Sequence, residues 1–412
     1  MEVAAGVVVA EQLVTTAVEG AVVGGFLAAR RTLPLKGTFT RIANSQDEPS
    51  PETLHRISHT LNIVNGHAYI FGGSFKDERN GPIAGNEMHI IRVSGKFGRE
   101  WDYKCVPAIP SIEGNDVPNG RKSHSAAVYG DQILVFGGPN ENGRVWSFDT
   151  QSLTWTARDP SDVRFCQVSQ HQGAIVLEDR FIVHGSAYQA VSHLQETWAF
   201  DLTTNTWNHI ASLRTEGEQT FTKPAIHGKS IFSISMRRDP QLSEHSVWLH
   251  YLCLDGQKPP EWESIQFSVE PLSGPLIYQG SPLLPISTGL GRHYLLFQGG
   301  RAANFNIDAE KQPDTSDETG LWTMQIPSDD RSLAKLKDWV RSKVGKGHNS
   351  GDWAEVEIKV TNKDKSKETT HHPGPRTHSA MAALDERTVM LFAGKYPGFS
   401  EGQVDGWIIK LE

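Results

Sequence analysis

A short apolar segment that ends in two glycines recurs along the chain, and this repetition constrains the fold more than any other feature. It occurs at residues 69–73 (YIFGG), 134–138 (LVFGG) and 296–300 (LFQGG), and shorter copies with one glycine occur at 182–185 and 391–394. Glycine permits the positive φ of a tight turn and the close approach of a neighbouring strand. Recurrence of such a segment predicts a chain built from similar supersecondary units.

A second recurring feature is an aromatic residue within a short β-type segment. Five repeats carry it as Trp101, Trp155, Trp207, Trp262 and Trp353. The last repeat ends after three predicted strands, and a matching fourth strand is predicted at the other end of the chain. Residues 38–42 there align with 206–210, and Phe39 takes the place of the tryptophan. Pairing the first strand with the last ones would remove the open sheet edges that invite aggregation.

A third feature is a polar signature before the first strand of a repeat, at residues 56–59 (RISH) and 121–124 (RKSH). Residues 376–379 (RTHS) resemble it with a one-residue shift. In this order the three features resemble the kelch repeat over about residues 37–412. The resemblance implies an all-β fold, a six-bladed kelch-type β-propeller closed by an N-terminal strand. The predicted domains are an N-terminal helix and linker (1–36) and the propeller (37–412), with the last blade built from 37–43 plus 372–412.

Three segments depart from the repeat. Residues 1–29 are rich in Ala, Val and Gly, and Glu11 and Glu19 argue against a membrane span, so a small-residue helix is predicted. That helix could dock on the propeller, form a homodimer with a second copy, or lie on a membrane surface. Residues 301–320 lengthen a loop of blade five as a candidate lid, and apolar residues at helical spacing predict a helical insertion at 327–350.

The net charge of −8 argues against a nucleic acid as the main partner, because that role needs a clustered positive field. Three cysteines (Cys105, Cys166 and Cys253) lie far apart in sequence and form no metal-type spacing. An odd, widely spaced set is typical of a reducing compartment, so a cytoplasmic location is expected.

In a propeller the links between blades and the loops after the second strands converge on the mouth of the central channel, which is the default ligand site. The predicted catalytic residues are Arg121, His124, His59 and Tyr188. The predicted substrate-binding residues are Arg56, Phe75, Asn140, His171, Arg301, Asn304, His378, Lys395 and Tyr396. The resemblance also implies an alternative for the arginines and histidines, which in kelch repeats often hold neighbouring blades together by hydrogen bonds.

Two classes of function stay open. The chain resembles fungal single-domain kelch proteins, some of which act in natural-product pathways. This predicts a cofactor-independent cyclase or isomerase of a small molecule, such as an aromatic polyketide intermediate. Histidine would transfer protons and arginine would hold an oxyanion. The alternative is a non-catalytic protein-interaction scaffold, the commonest role of kelch propellers. Neither the copper-radical oxidase pattern nor the iron-binding triplet of plant specifier proteins is present, and neither is a glycine-rich phosphate loop. No cofactor or metal is therefore expected.

Overall fold

The computed structural model describes residues 33–43, 56–77, 81–93, 102–138, 143–161, 168–187, 194–217, 219–238, 245–268, 275–289, 291–301, 318–327, 353–359, 372–395 and 405–412. Three predicted features lie wholly or largely outside these ranges. They are the N-terminal helix (within 1–32), the lid (302–317) and the helical insertion of blade five (328–350).

Every regular element in the described ranges is a β-strand, and the strands form a six-bladed β-propeller, which confirms the predicted fold. The chain begins with β1 (Lys36–Ala43). Blade one follows with β2 (Thr60–Val64), β3 (His67–Phe71), the hairpin strands β4 (Ser74–Asp77) and β5 (Gly81–Ala84), β6 (Met88–Arg92) and β7 (Tyr103–Val106). Blade two contains β8 (Ser125–Tyr129), β9 (Gln132–Phe136), β10 (Val145–Asp149) and β11 (Thr154–Arg158). Blade three contains β12 (Val168–Leu177), β13 (Arg180–Ala187), β14 (Leu194–Asp201) and β15 (Thr206–Arg214).

The inner strand is divided in the next two blades. Blade four contains β16 (Thr220–Phe221), β17 (Ala225–His227), β18 (Ser230–Arg238), β19 (His245–Cys253) and β20 (Trp262–Ser268). Blade five contains β21 (Pro275–Ile277), β22 (Leu283–Gly289), β23 (Arg292–Arg301), β24 (Leu321–Gln325) and β25 (Trp353–Glu355). Both inner pieces pair with the same second strand, β18 in blade four and β23 in blade five. After β26 (Glu357–Ile358), blade six contains β27 (Ala380–Ala383), β28 (Thr388–Phe392) and β29 (Gly406–Leu411).

Blade six is completed by the N-terminal strand, as predicted. Strand β1 pairs antiparallel with β29, and Phe39 lies opposite Ile409. Trp155 lies opposite Phe148 in the same way in blade two, so Phe39 occupies the tryptophan position. Short β26 adds in parallel to the outer edge of β1. The sheet of the last blade therefore joins both ends of the propeller.

The outer-strand tryptophans pack against the preceding blade. The Trp155 ring lies 4.8 Å from that of Phe71 in blade one, and the Trp207 ring lies 4.9 Å from that of Phe136 in blade two. Both tryptophans are buried. Such aromatic pairs contribute about 0.5–1.5 kcal/mol beyond the burial of their area. These contacts explain why a large aromatic residue recurs at this position.

The links and the loops meet at one end of the channel, as predicted. In blade one the link residue Ile57 bridges to Ser74, which follows the two glycines, and in blade six Thr377 bridges to Lys395. Gly72 has a φ of +61°, and a Cβ there would lie 2.5 Å from the carbonyl oxygen of Arg121 in the next blade. The first glycine of the pair is thus required both by its backbone conformation and by the approach of the neighbouring link. Within the described ranges there is no helix with the length and apolar character needed to traverse a lipid bilayer.

Candidate functional site

The three link arginines make the same contact in three blades. Each is buried, and each donates a hydrogen bond to the carbonyl that ends the second strand of its own blade. The contacts are Arg56 Nη1 to Gly72 (2.7 Å), Arg121 Nη1 to Gly137 (3.1 Å) and Arg376 Nη1 to Ala393 (3.1 Å). The same contact occurs in three blades and joins each link to its own blade. It agrees with the alternative that these arginines hold the propeller together by hydrogen bonds.

Two of these arginines also form ion pairs with carboxylates at the start of a third strand. Arg56 pairs with Glu87, and Arg376 holds both oxygens of Asp405, with Nη2 2.7 Å from Oδ2. Although burial disfavours ionisation of Asp405, the hydrogen bonds and charge of Arg376 hold the pKa of its carboxyl below the ordinary value. The carboxylates neutralise the guanidinium charges within the blades, and a buried pair of this kind is strongly destabilised when one partner is removed.

The link residue two positions after each arginine is in the left-handed conformation. Ser58, Ser123 and His378 have φ values of 59°, 54° and 58°. His378 is therefore structurally equivalent to Ser58 and Ser123, and Ser379 is equivalent to His59 and His124. The one-residue shift that the sequence comparison assumed for blade six is wrong, because the backbone conformation aligns the three links without it.

His59 and His124 are enclosed by packing. Each is 1% exposed; the His124 ring lies 5.3 Å from the Phe71 ring, and its Nε2 shares a hydrogen bond of 2.9 Å with Thr60 Oγ1. Burial first, then the charges of Lys223 and Arg56, lowers the pKa of His59 to about 3. Burial first, then Arg121 and Lys223, lowers the pKa of His124 well below its usual value. Both rings are neutral at pH 7, so neither has the near-neutral pKa that suits acid–base catalysis.

The left-handed turns of blades six, one and two are joined in a row. Ser58 N donates to the carbonyl of His378 (3.1 Å), and Ser123 N donates to the carbonyl of Ser58 (3.1 Å). We call residues 57–58, 122–123 and 377–378 the mouth turns. Lys122, Ser123 and His378 are exposed there. The backbone bonds hold these side chains in a fixed arrangement beside the channel.

The remaining predicted site residues do not share one location. Lys395 is half-buried at the mouth beside Thr377. His171 lies within β12 and not in a link, Phe75 lies in β4 of a hairpin and not in an open loop, and Arg301 is the last residue of β23, opposite Pro275. The predicted location of His171 in a link is wrong, because β12 begins before it. Phe75 lies between the second and third strands of blade one, and Arg301 lies at the start of the corresponding segment of blade five, as predicted. Tyr188, Asn140, Asn304 and Tyr396 lie outside the described residues.

The channel contains a cavity of about 250 Å³ whose wall comes from all six blades. Among the described residues that line it, Lys223, between β16 and β17 of blade four, is the one with a charge. Burial lowers the pKa of this lysine to about 8, although it keeps partial contact with solvent through the cavity. Sequence reasoning missed Lys223 because blade four lacks the glycine and arginine signatures. The sequence did contain a signal: Lys223-Pro224 in blade four matches Ser281-Pro282 in blade five. In the structure these two segments lie side by side, where Thr222 bridges to Ser281.

A metal centre is not evident in the part of the chain that the structure describes. No group of three or more His, Cys, Asp or Glu side chains there is arranged to hold an ion. Cys105 and Cys253 are both unpaired and exposed.

The comparisons with known proteins find similarity to kelch-repeat proteins. Residues 35–235 match the model of the KLHDC2/KLHL20/DRC7 Kelch-repeats domain. An F-box/kelch-repeat protein of Arabidopsis thaliana is 25% identical over 183 residues, which are 41% of this chain and 36% of the relative. Kelch domain-containing protein 3 of Homo sapiens is 28% identical over 133 residues, 31% of this chain and 33% of the relative. The matched segments thus span about a third of the length of these curated relatives.

The solved structures that resemble this chain are more divergent in sequence. A protein of unknown function from Dyadobacter fermentans is 12% identical, with a TM-score of 0.49 over 91% of this chain and 98% of that one. The family match and the relatives, together with the repeated blade contacts, support a kelch-repeat protein.

Proposed function

We propose that the propeller is a protein-interaction scaffold that holds a partner over the mouth turns of blades six, one and two. The observation that carries this proposal is the row of backbone hydrogen bonds in which Ser123 N donates to the carbonyl of Ser58 and Ser58 N donates to the carbonyl of His378. Left-handed non-glycine residues are costly, and they often lie at sites that hold a ligand. A partner would meet side chains that are already in place, which reduces the entropy lost on binding.

The charge of the mouth turns favours an acidic partner segment. The ionisable residues of these turns are Lys122 and His378, and Lys395 lies next to Thr377. Glu87 and Asp405 are paired with the link arginines Arg56 and Arg376. A basic mouth on a chain of net charge −8 provides a local field of opposite sign, and such fields steer association and select partners.

The cyclase or isomerase prediction has less support than this alternative. His59 and His124 are neutral and enclosed, and Arg56 and Arg121 bind carbonyls of their own blades. Among the described residues, the groups predicted to transfer protons and hold an oxyanion are therefore engaged in the fold.

The test is affinity purification of the full chain with quantitative mass spectrometry. The double variant Lys122→Glu/His378→Asp reverses the charge of the mouth turns and keeps a residue type that tolerates the left-handed conformation at 378. Lys229→Glu, an exposed substitution in the turn of blade four at the opposite face, is the matched control. We expect a specific partner to be retained by the wild type and the control and lost by the double variant. A partner set that is unchanged by the double variant would contradict the proposed face.

A further inference from the structure

The channel cavity contains a positive charge without a counter-charge. The Lys223 side chain makes no hydrogen bond or ion pair with the described residues, and none of the described residues that line the cavity is acidic. A charge removed from bulk water is unfavourable unless a group of opposite sign compensates it. This imbalance is a property of the folded channel, because the wall is assembled from six blades.

The lysine is held in place by the backbone around it. Lys223 N donates a hydrogen bond of 2.8 Å to the carbonyl of Ser281 in blade five, and Pro224 restricts the backbone of Lys223, the residue before it. On the other side Gly173 of blade three lies so close that a Cβ there would be 3.0 Å from the Cβ of Lys223. The backbone of Lys223 is therefore fixed between three blades, and the part that can change position is the side chain with its ammonium group.

The rest of the wall determines what could accompany an anion. Leu61, Leu283, Leu284 and Met381 contribute apolar surface, and Thr60, Asn62 and Ser125 contribute uncharged polar residues. The volume of about 250 Å³ is below the roughly 300 Å³ at which pockets for drug-sized ligands begin, and a cavity of about 150 Å³ is enough for benzene. One positive charge, a few uncharged polar groups and a leucine-rich part of the wall favour a small monoanion with a hydrocarbon part over a dianion such as phosphate.

We infer that the channel binds a short-chain carboxylate, whose charged group contacts the Lys223 ammonium and whose hydrocarbon part lies against the leucine wall. This ligand is distinct from the proposed protein partner and binds at a different place. It would lie below the mouth turns, since Ser58 is two residues before Thr60 of the cavity wall.

Protonation couples to this binding. The other titratable groups that act on this part of the channel are His59 and His124, both neutral at pH 7, and behind them Arg56 and Arg121. The remaining wall residues carry no ionisable side chain. Since burial lowers the pKa of Lys223 to about 8 without a ligand, a bound carboxylate raises it, and binding at pH 8.5 is accompanied by proton uptake.

The experiment is isothermal titration calorimetry of the full chain in a buffer without carboxylate or phosphate. Butyrate is the probe, butyramide is its neutral analogue, and inorganic phosphate is the competing oxyanion. We expect butyrate to bind one to one, and butyramide to bind at least about tenfold more weakly because it lacks the charge. Lys223→Met should lose at least about tenfold in butyrate affinity, and Lys229→Met should keep the wild-type value.

A second measurement needs no variant. Repeating the wild-type titration at pH 8.5 in two buffers of different ionisation enthalpy gives the number of protons taken up. Absence of butyrate heat up to about 10 mM, equal affinities for butyrate and butyramide, tighter binding of phosphate than of butyrate, or zero proton uptake would each overturn the inference. Partner capture at the mouth turns is measured separately, so failure of either proposal is distinguishable from failure of the other.

Discussion

Replacing Lys223 by methionine should stabilise the folded protein at pH 7. The pKa of this lysine falls from 10.5 to about 8 on folding because the ammonium is buried. Each unit of pKa difference corresponds to about 1.4 kcal/mol, so the charge destabilises the folded state by about 3 kcal/mol at most. Solvent in the cavity screens part of this penalty, and the expected gain for Lys223→Met is about 1–3 kcal/mol. Methionine adapts to irregular apolar surroundings without a charge.

The stability that Lys223→Met gains over the wild type should decrease as the pH rises. Below pH 8 the folded and unfolded chains both hold the proton on Lys223, and the wild type carries the whole penalty. Between pH 8 and 10.5 the folded chain releases that proton while the unfolded chain keeps it, so wild-type stability rises relative to the variant. The advantage of Lys223→Met is therefore largest at pH 7 and approaches zero near pH 10.5.

Urea unfolding followed by tryptophan fluorescence measures this difference, since several tryptophans are buried between blades. Wild type, Lys223→Met and the exposed control Lys229→Met are compared at pH 7 and pH 10. A variant that is less stable than the wild type at pH 7, or an advantage of equal size at both pH values, would refute the reasoning about the buried charge.

Three further predictions concern the fold. Arg376→Ala leaves Asp405 buried without its partner, and the urea transition should show a loss of about 3–5 kcal/mol, whereas a loss below about 1 kcal/mol would show that the pair does not anchor the link. Deleting residues 1–32 should leave the melting temperature within a few degrees of the wild type, but deleting residues 1–43 removes β1 and should cause aggregation or non-cooperative melting, as light scattering and calorimetry would show. Gly72→Ala forces a Cβ onto a carbonyl of the next blade at positive φ and should lower the melting temperature clearly, and an unchanged value would contradict the close approach.

The fold could be predicted from the sequence because its determinants are local and repeated. An apolar strand before two glycines and an aromatic residue in the outer strand each mark a position within a blade. Phe39 could be assigned to blade six because the residues around it match those around Trp207. Strand ends were less predictable. Residues such as His171 and Arg301 lie in strands that continue past the signature, where pairing with a neighbouring strand decides the boundary.

The candidate site was predictable only in part, and for a physical reason. The sequence places an arginine in three of the links, but the direction of its guanidinium depends on the carbonyl that follows the second strand, as for Arg121 and Gly137. Lys223 is harder still. A lysine is ordinarily solvated at the protein surface. The charge of Lys223 lacks a partner because the described residues of the other five blades contribute no acidic side chain to the cavity wall. That property belongs to the assembled channel and to no single repeat.

The most direct test of the interaction face is hydrogen–deuterium exchange of the full chain with and without its purified partner. The account predicts slower exchange in peptides that contain the mouth turns, 57–58, 122–123 and 377–378. It predicts no change in the turns at the opposite face, 130–131, 178–179 and 228–229. Protection confined to the opposite-face turns or to the outer strands, with the mouth turns unchanged, would contradict it.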